Sequence, residues 1–267
     1  IAFSFKGDIY TVPANGGRAL QITTHPSHDT RPVWSPDGKT LAFASDRMGS
    51  MDIYVVDKEG GTPKRLTTHS GNETPITFKD NGHLLFQANI LPSTEDMQFA
   101  SGHFPQVYEV SIEGGRPTMF SSMPMEDISF SSDGKKILYH DKKGYEDPWR
   151  KRHTSSITRD VWMCNLEGER SYKKLSTFNG EDRNPVWANT DTYYYLSEQN
   201  GSFNVFKASL NGGSSVQITK HEKHPVRFLS RANNGMLCYG YDGGIYTLKE
   251  GEQPQKVNIK VVTDQIN

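Results

Sequence analysis

Short apolar runs separated by polar turns recur along the whole chain. The clearest example joins Trp34, a Ser-Pro-Asp-Gly turn at 35–38, the apolar run Leu41–Ala44 and a second run that begins Asp-Ile-Tyr at 52–54. In the turn, proline fixes φ, aspartate can bond to its own backbone and glycine accepts a positive φ. Because apolar runs on both sides of an Asp-Gly turn are typical of β-hairpins, the pattern predicts strands rather than helices.

A three-residue unit recurs along the chain: a polar residue or glycine, then a β-branched residue, then an aromatic residue. Its aromatic members are Tyr10, Tyr54, Tyr108, Trp162, Phe206 and Tyr246. A strand-turn-strand pattern precedes the unit, and a glycine-containing turn and a short strand follow it. Four strands in about 40–45 residues is the spacing of a propeller blade. The sequence therefore predicts an all-β, six-bladed β-propeller built from four-stranded antiparallel blades.

We expect one propeller domain over residues 1–267. Its blades are predicted at approximately 1–28, 29–72, 73–125, 126–181, 182–223 and 224–262. The first blade is incomplete in this chain, because its predicted strands are only Ile1–Phe5, Asp8–Val12 and Leu20–Thr23. Either the residues after Lys260 supply the remaining strand, or an N-terminal strand is missing. The shortness and polarity of Val261–Asn267 favour a missing N-terminal strand.

Charge and composition narrow the function classes. Lys and Arg number 30 against 31 Asp and Glu, which argues against a nucleic-acid surface. No apolar run approaches the roughly 18 residues that a membrane helix needs, so we expect no membrane insertion. Cys164 and Cys238 lie in separate strand-like runs, and we expect two buried free thiols rather than a disulfide.

Residues 34–54 resemble the PD40-type propeller repeat of TolB, tricorn-type peptidases and prolyl oligopeptidase relatives. Ile1–Thr24 is most similar to the first propeller of tricorn-type serine peptidases. The resemblance implies an accessory domain that gates or guides peptides or unfolded polypeptide. It also implies docking to downstream domains of the same chain or to other subunits, with the nucleophile in a catalytic domain that this chain lacks. The alternative is a TolB-like periplasmic protein-binding module. The compartment stays open, with an exported location preferred over the cytoplasm.

The sequence predicts no catalytic residues, metal or cofactor. No Gly-x-Ser-x-Gly elbow occurs. His221 and His224 flank Glu222, but a metalloprotease helix needs a wider spacing between its histidines, and Pro225 disfavours a helix. We therefore interpret this segment as a solvated loop, not a zinc site.

Five acidic residues occur at similar offsets where the predicted first strands begin: Asp29, Glu73, Glu126, Asp182 and Glu222. Stacked around one axis, they would form a carboxylate collar at a channel mouth, which would attract a peptide amino terminus or hold a cation. The other interpretation is that each carboxylate caps its own turn. Several histidines share these loops, and we expect them to be neutral and solvated: His25, His28, His69, His221 and His224.

Two insertions lengthen the third and fourth repeats between their second and third strands. Asn89–Pro105 carries Phe99 and Phe104, and Asp141–Arg159 carries a set of aromatic and basic residues, Tyr145, Trp149, Arg150 and Arg152. We expect both insertions on one face, since neighbouring blades would hold them. Long loops in compact domains are usually functional or disordered. Aromatic residues beside arginine are typical of sites that anchor a partner or peptide, so docking and a flexible solvated loop stay open as alternatives.

Overall fold

The computed structural model describes residues 1–90, 104–145, 147, 149–150 and 154–262. The regular elements in these ranges are all β-strands, which form six successive antiparallel sheets and one two-stranded parallel ladder. The predicted fold class, a six-bladed β-propeller with an incomplete first blade, is confirmed. The described ranges contain no helix long and apolar enough to cross a membrane. Two compact units divide the chain.

The first unit comprises residues 1–123 and the C-terminal residues from Val257 onwards. Its strands are β1 (Ala2–Phe5), β2 (Asp8–Thr11), β3 (Gly17–Arg18), β4 (Leu20–Gln21), β5 (Asp29–Trp34), β6 (Thr40–Ser45), β7 (Asp52–Asp57), β8 (Lys64–Arg65), β9 (Glu73–Asp80), β10 (His83–Ala88), β11 (Gln106–Ser111), β12 (Thr118–Ser121) and, at the C-terminus, β25 (Ile259–Lys260). They form the three-stranded sheet β1-β2-β4 and the four-stranded sheets β5–β8 and β9–β12.

The second unit comprises Pro124–Lys256. Its strands are β13 (Met125–Phe130), β14 (Lys136–Asp141), β15 (Val161–Asn165), β16 (Ser171–Lys174), β17 (Asp182–Trp187), β18 (Thr192–Ser197), β19 (Asn204–Ser209), β20 (Val216–Gln217), β21 (Arg227–Arg231), β22 (Leu237–Tyr241), β23 (Gly244–Leu248) and β24 (Gln255–Lys256). They form three four-stranded sheets, each of four consecutive strands.

The C-terminal residues return to the first blade without completing its sheet. Ile259 pairs with Gly17 and Lys260 with Arg18, in a parallel ladder between β25 and β3. Ile259 also packs against the cluster that contains Tyr10. In the described residues, β1 pairs with β2 alone. The described C-terminal residues therefore do not supply the missing strand.

The turn that opens the sequence pattern forms as predicted. Gly38 donates its N–H to the Ser35 carbonyl at 2.9 Å and adopts a φ of 68°. Asp37 Oδ1 accepts hydrogen bonds from Ser35 Oγ at 2.7 Å and from the Lys39 N–H at 3.1 Å. The two cysteines are free thiols, with Cys164 buried and Cys238 half-buried.

Aromatic and aliphatic side chains of adjacent strands build the core of each unit. In the first unit, Phe43 stacks on Tyr54 with ring centroids 5.9 Å apart, and Phe86 stacks on Tyr108 at 5.8 Å. In the second unit, a buried cluster contains Leu196, Phe203 and Tyr239. In the repeats of Tyr10, Tyr54, Tyr108 and Tyr246, the aromatic residue of the repeated unit thus stacks on a ring of the preceding strand.

A hydroxyl group secures the fourth strand of most repeats. The β-branched residue of the repeated unit donates its backbone N–H to a side-chain hydroxyl oxygen. The hydroxyl belongs to a threonine or serine just after the fourth strand. The pairs are Ile9 with Thr23 (3.0 Å), Ile53 with Thr67 (2.9 Å), Val161 with Ser176 (2.7 Å) and Val205 with Thr219 (2.9 Å). These hydroxyls supplement the ladders of fourth strands that are as short as two residues.

A backbone bond ties each of these repeats to the next one. The donor is a backbone N–H where the first strand of the following repeat begins. The acceptor is a backbone carbonyl of the preceding repeat, two residues before its β-branched residue. The pairs are Asp29 with Gly7 (2.7 Å), Glu73 with Met51 (2.7 Å), Asp182 with Arg159 (3.1 Å) and Val226 with Phe203 (2.9 Å). The start of each of these third strands is therefore hydrogen-bonded both within its own blade and to the following blade.

Removing the Thr67 hydroxyl, which lies at one such junction, should lower the free energy of unfolding. Thr67→Val keeps the shape but removes the acceptor of the buried Ile53 N–H and the hydroxyl that donates to Glu73. We expect a loss of about 2 kcal/mol, because a buried donor is left unsatisfied. Urea unfolding measures it, with Thr118→Val at an exposed strand position as the matched control. Equal stability of the Thr67 variant and the wild type would contradict the structural role.

Candidate functional site

In the first unit, both predicted collar residues are buried and bound internally. Asp29 is fully buried, and Arg47 Nη2 contacts both of its carboxylate oxygens, at 2.9 and 2.7 Å. Glu73 is buried and accepts a hydrogen bond from the Thr67 hydroxyl. Burial raises the pKa of Glu73 to about 7, with a smaller contribution from the nearby Asp52.

In the second unit, the three predicted collar residues differ in their surroundings. Asp182 is buried, and burial raises its pKa to about 6 despite hydrogen bonds to Ser197 and Ser176. Glu126 is half-buried and contacts His140 and Arg159. Glu222 is exposed. Four of the five carboxylates are thus engaged by internal partners, and ligand binding by the set stays a prediction.

Three junctions place two carboxylates near one another. Burial is the main cause that raises the pKa of Asp8, and the nearby carboxylate of Asp29 raises it further. Asp52 likewise acts on Glu73, and Asp160 on Asp182. Cations lie beside one member of each pair. They are Arg47 at Asp29 (2.7 Å), Arg65 at Asp52 (2.8 Å) and Lys174 at Asp160 (2.8 Å). At Asp29, Glu73 and Asp182, the sequence offset that predicts a collar therefore marks a structural joint between repeats.

The histidines of the predicted loops differ in their surroundings. His25 and His28 are exposed, as expected of solvated side chains. His221 is instead half-buried, stacks on Tyr241 at 3.8 Å and contacts the Tyr239 hydroxyl at 3.0 Å. Within the described ranges, no group of three or more His, Cys, Asp or Glu side chains is arranged to hold a metal ion.

The insertion residues are only partly within the described ranges. Phe99 and Arg152 lie outside the described residues. Phe104 is exposed just before β11, and Tyr145, Trp149 and Arg150 are exposed in the second insertion. Trp149 has 61% of its surface accessible, so an apolar side chain suited to an anchor faces solvent.

Trp149 contacts the first strand of the last blade. The Arg227 guanidinium lies 4.6 Å from the Trp149 ring centroid and donates to the Trp149 carbonyl at 3.3 Å. Phe228 meets the Trp149 ring edge-on, with centroids 6.3 Å apart, and is 71% exposed. Sequence reasoning missed Arg227 and Phe228, because both lie in a strand that follows the repeat pattern.

Phe228 occupies an unusual backbone conformation that recurs in first strands of both units. In the first unit, Arg31 has a φ of 54° and lies within the register shift of its strand pair. Three first strands of the second unit share it. The φ angles are 49° at Asp127, 54° at Asn184 and 58° at Phe228, each within a register shift of its strand pair. Asp and Asn tolerate this region, whereas a bulky aromatic residue rarely adopts it. The strain costs of order 1–3 kcal/mol and persists where neighbours hold it, which is common at binding sites. We call Asp127, Trp149, Asn184, Arg227 and Phe228 the bulge surface.

Buried ion pairs lie next to the bulge surface. Arg159 Nε lies 3.2 Å from Glu126 Oε2, and its Nη1 lies 3.2 Å from Glu181 Oε1. Arg183 pairs with the same Glu181 oxygen at 3.3 Å and stacks over Phe203 at 4.2 Å. Two arginines and two glutamates balance in charge, and these pairs fix the strands that carry the bulges. The surface offers aromatic rings, a guanidinium and a carboxylate, a combination suited to binding.

Comparisons with known proteins agree with this architecture. Residues 1–254 match the tricorn protease N-terminal beta propeller domain family. The chain is 22% identical over 264 residues to tricorn protease homolog 1 of Streptomyces coelicolor, covering 98% of this chain and 24% of that protein. The chain thus spans about a quarter of the length of this curated relative.

Solved structures are similar as well. The crystal structure of the tricorn protease has a TM-score of 0.76 and 19% identity, over 99% of this chain and 26% of that one. The TolB structure from Acinetobacter baumannii has a TM-score of 0.62 and 17% identity, over 95% of this chain and 63% of that one. At these identities, the likeness shows the fold.

Because the pKa of Glu73 is raised, we expect the free energy of unfolding to depend on pH. Its folded pKa of about 7 lies above the ordinary value of 4.5, so its contribution is fully present below pH 4.5 and is lost as the pH rises through 7. Glu73→Gln should therefore gain about 1–2 kcal/mol relative to the wild type between pH 5 and pH 8. Urea unfolding across this range measures it. Glu59→Gln, at an exposed side chain, is the control, and parallel stability curves for Glu73→Gln and the wild type would overturn the assignment.

Proposed function

This chain belongs to the tricorn protease N-terminal β-propeller family, and we propose that it serves a serine peptidase as a non-catalytic module. Its role is to guide peptides or unfolded polypeptide and to dock to the domains that follow it. No catalytic set is evident among the described residues, and the match to a peptidase homologue four times longer supports a parent with its chemistry elsewhere. Docking to other subunits belongs to the same proposal.

The bulge surface is the observation that carries this proposal. Two large aromatic side chains, Trp149 and Phe228, face solvent around one guanidinium, that of Arg227. Exposed aromatic residues near arginine are the usual anchors of protein and peptide contacts.

A TolB-like protein-binding module is the second candidate. The similarity to the TolB structure supports it at the level of the fold. The two candidates differ in their covalent context. A PDZ-like segment and a serine-containing catalytic domain in the parent gene favour the peptidase, whereas a short tail after Asn267 favours the TolB-like module.

Removing the aromatic anchors should impair long substrates selectively. In the full-length peptidase, Trp149→Ala with Phe228→Ala should lower kcat/KM for an unfolded polypeptide by about fivefold or more. A short chromogenic peptide, which does not span the propeller and the active site, should be cleaved at the wild-type rate. Tyr172→Ala, at another exposed aromatic residue of the second unit, is the matched control.

Assembly is measured on the same variants by sedimentation velocity. A loss of assembly with unchanged turnover per assembled particle would assign the surface to docking rather than to peptide guidance. Wild-type assembly together with wild-type kcat/KM for the long substrate would overturn both roles.

A further inference from the structure

Asparagine followed by glycine carries an intrinsic reactivity that a fold either restrains or permits. The backbone nitrogen of the glycine can attack the side-chain amide carbon of the asparagine, and this attack meets little hindrance because glycine has no side chain. The chain contains six such pairs, which begin at Asn15, Asn81, Asn179, Asn200, Asn211 and Asn234. Each pair is a candidate for spontaneous deamidation, and the local structure determines which of them reacts.

In five of the six pairs, a hydrogen bond holds the attacking nitrogen in a turn. The glycine N–H donates to an acceptor two or three residues earlier in the chain. The bonds run from Gly16 to the Pro13 carbonyl (2.9 Å), from Gly82 to Asp80 Oδ1 (2.7 Å), from Gly201 to the Glu198 carbonyl (2.8 Å), from Gly212 to the Ser209 carbonyl (3.2 Å) and from Gly235 to the Ala232 carbonyl (2.9 Å). Each of these bonds must break before the nitrogen can attack, which slows the reaction.

The pair Asn179–Gly180, between β16 and β17, differs from the other five. Within the described ranges, the Gly180 N–H makes no hydrogen bond, and neither does the exposed Asn179 side chain. Packing also requires glycine at position 180, because a Cβ there would lie 2.2 Å from Phe178 Cε1. Both reacting groups are therefore without a competing partner in the structure that the chain describes.

We propose that Asn179 is a site of covalent self-modification, at which the folded chain forms isoaspartate. The Gly180 nitrogen attacks Asn179 Cγ, so a C–N bond forms, the Cγ–Nδ2 bond breaks, and ammonia leaves with the proton of the Gly180 N–H. Water then opens the resulting succinimide at one of its two carbonyl groups, which yields aspartate or isoaspartate. Water is the only co-reactant, and the inference does not depend on the proposed function.

The modification lies directly before a joint between two repeats. Isoaspartate adds one methylene group to the main chain at position 179, two residues before Glu181. The Glu181 carboxylate pairs with Arg159 at 3.2 Å and with Arg183 at 3.3 Å. The Asp182 N–H donates to the Arg159 carbonyl at 3.1 Å. Because the longer main chain must displace the start of β17, we expect isoaspartate at position 179 to loosen this joint.

Peptide mapping by mass spectrometry tests the assignment on the wild-type 267-residue chain during storage at mildly alkaline pH. The same mapping in guanidinium chloride gives the rate of each site without the fold. Asn179 should deamidate in the folded chain at nearly its unfolded rate, whereas folding should slow the other five sites about fivefold or more, because each must first break a hydrogen bond. If folding slows Asn179 as much as the other sites, or leaves one of them equally unprotected, the proposal is wrong.

Two substitutions to glutamine test the source of the isoaspartate. Asn179→Gln keeps an amide but would have to form a larger ring, so it should remove most of the isoaspartate that an isoaspartyl methyltransferase labels in the stored protein. Asn200→Gln, at a pair whose glycine N–H is bonded, is the matched control and should leave the yield unchanged. An unchanged yield in Asn179→Gln would contradict the assignment.

Hydrogen exchange at the Asp182 amide tests the effect on the joint. In the isoaspartate fraction of stored wild-type protein, the protection factor of this amide should fall about fivefold or more. Freshly prepared Asn179→Asp gains the same charge without the extra methylene group and should keep the wild-type protection factor. Full protection in the isoaspartate fraction would show that the joint is not loosened, and an equal loss in Asn179→Asp would assign the loss to charge instead of to the main chain.

Discussion

A hydrogen bond from the third strand to a threonine or serine hydroxyl is the interaction on which four of the repeats depend. The fourth strands are short, and two-residue strands such as β8 contribute few ladder bonds. The Thr67 hydroxyl adds a buried acceptor for the Ile53 N–H and also donates to Glu73 of the next blade. One side chain thus joins the edge of a sheet to its neighbour, and stability builds up from repeat to repeat.

This joint explains why acids recur where first strands begin. A carboxylate in this place accepts the hydroxyl bond at Glu73 or the guanidinium at Asp29, and its own N–H bonds the preceding repeat. Burying it carries an electrostatic cost, seen in the raised pKa values of Glu73 and Asp182. Regularly spaced acidic residues in a repeat sequence can therefore reflect contacts between neighbouring repeats, and do not by themselves indicate a ligand-binding site.

The sequence predicted the fold well, because its strands, turns and repeats depend on local residue types. Ser35 to Gly38 carry the chemistry of their turn within four residues, and the structure confirms it. The bulge surface was not predictable in this way. Phenylalanine gives no signal for a positive φ. The residue after it, Leu229, is hydrogen-bonded through its backbone to Asn184, which lies in another blade. A comparison of aligned repeats, with Asp127 and Asn184 at the same place, is the signal that points there.

We propose that the bulge surface touches polypeptide in the full-length protein. Site-specific photo-cross-linking tests it most directly, with a benzophenone amino acid in place of Trp149 in the full-length protein during turnover of an unfolded substrate. We expect cross-links to the substrate or to the downstream domains, well above those from the same probe in place of Tyr172. Equal, background-level cross-linking from the two positions would contradict it.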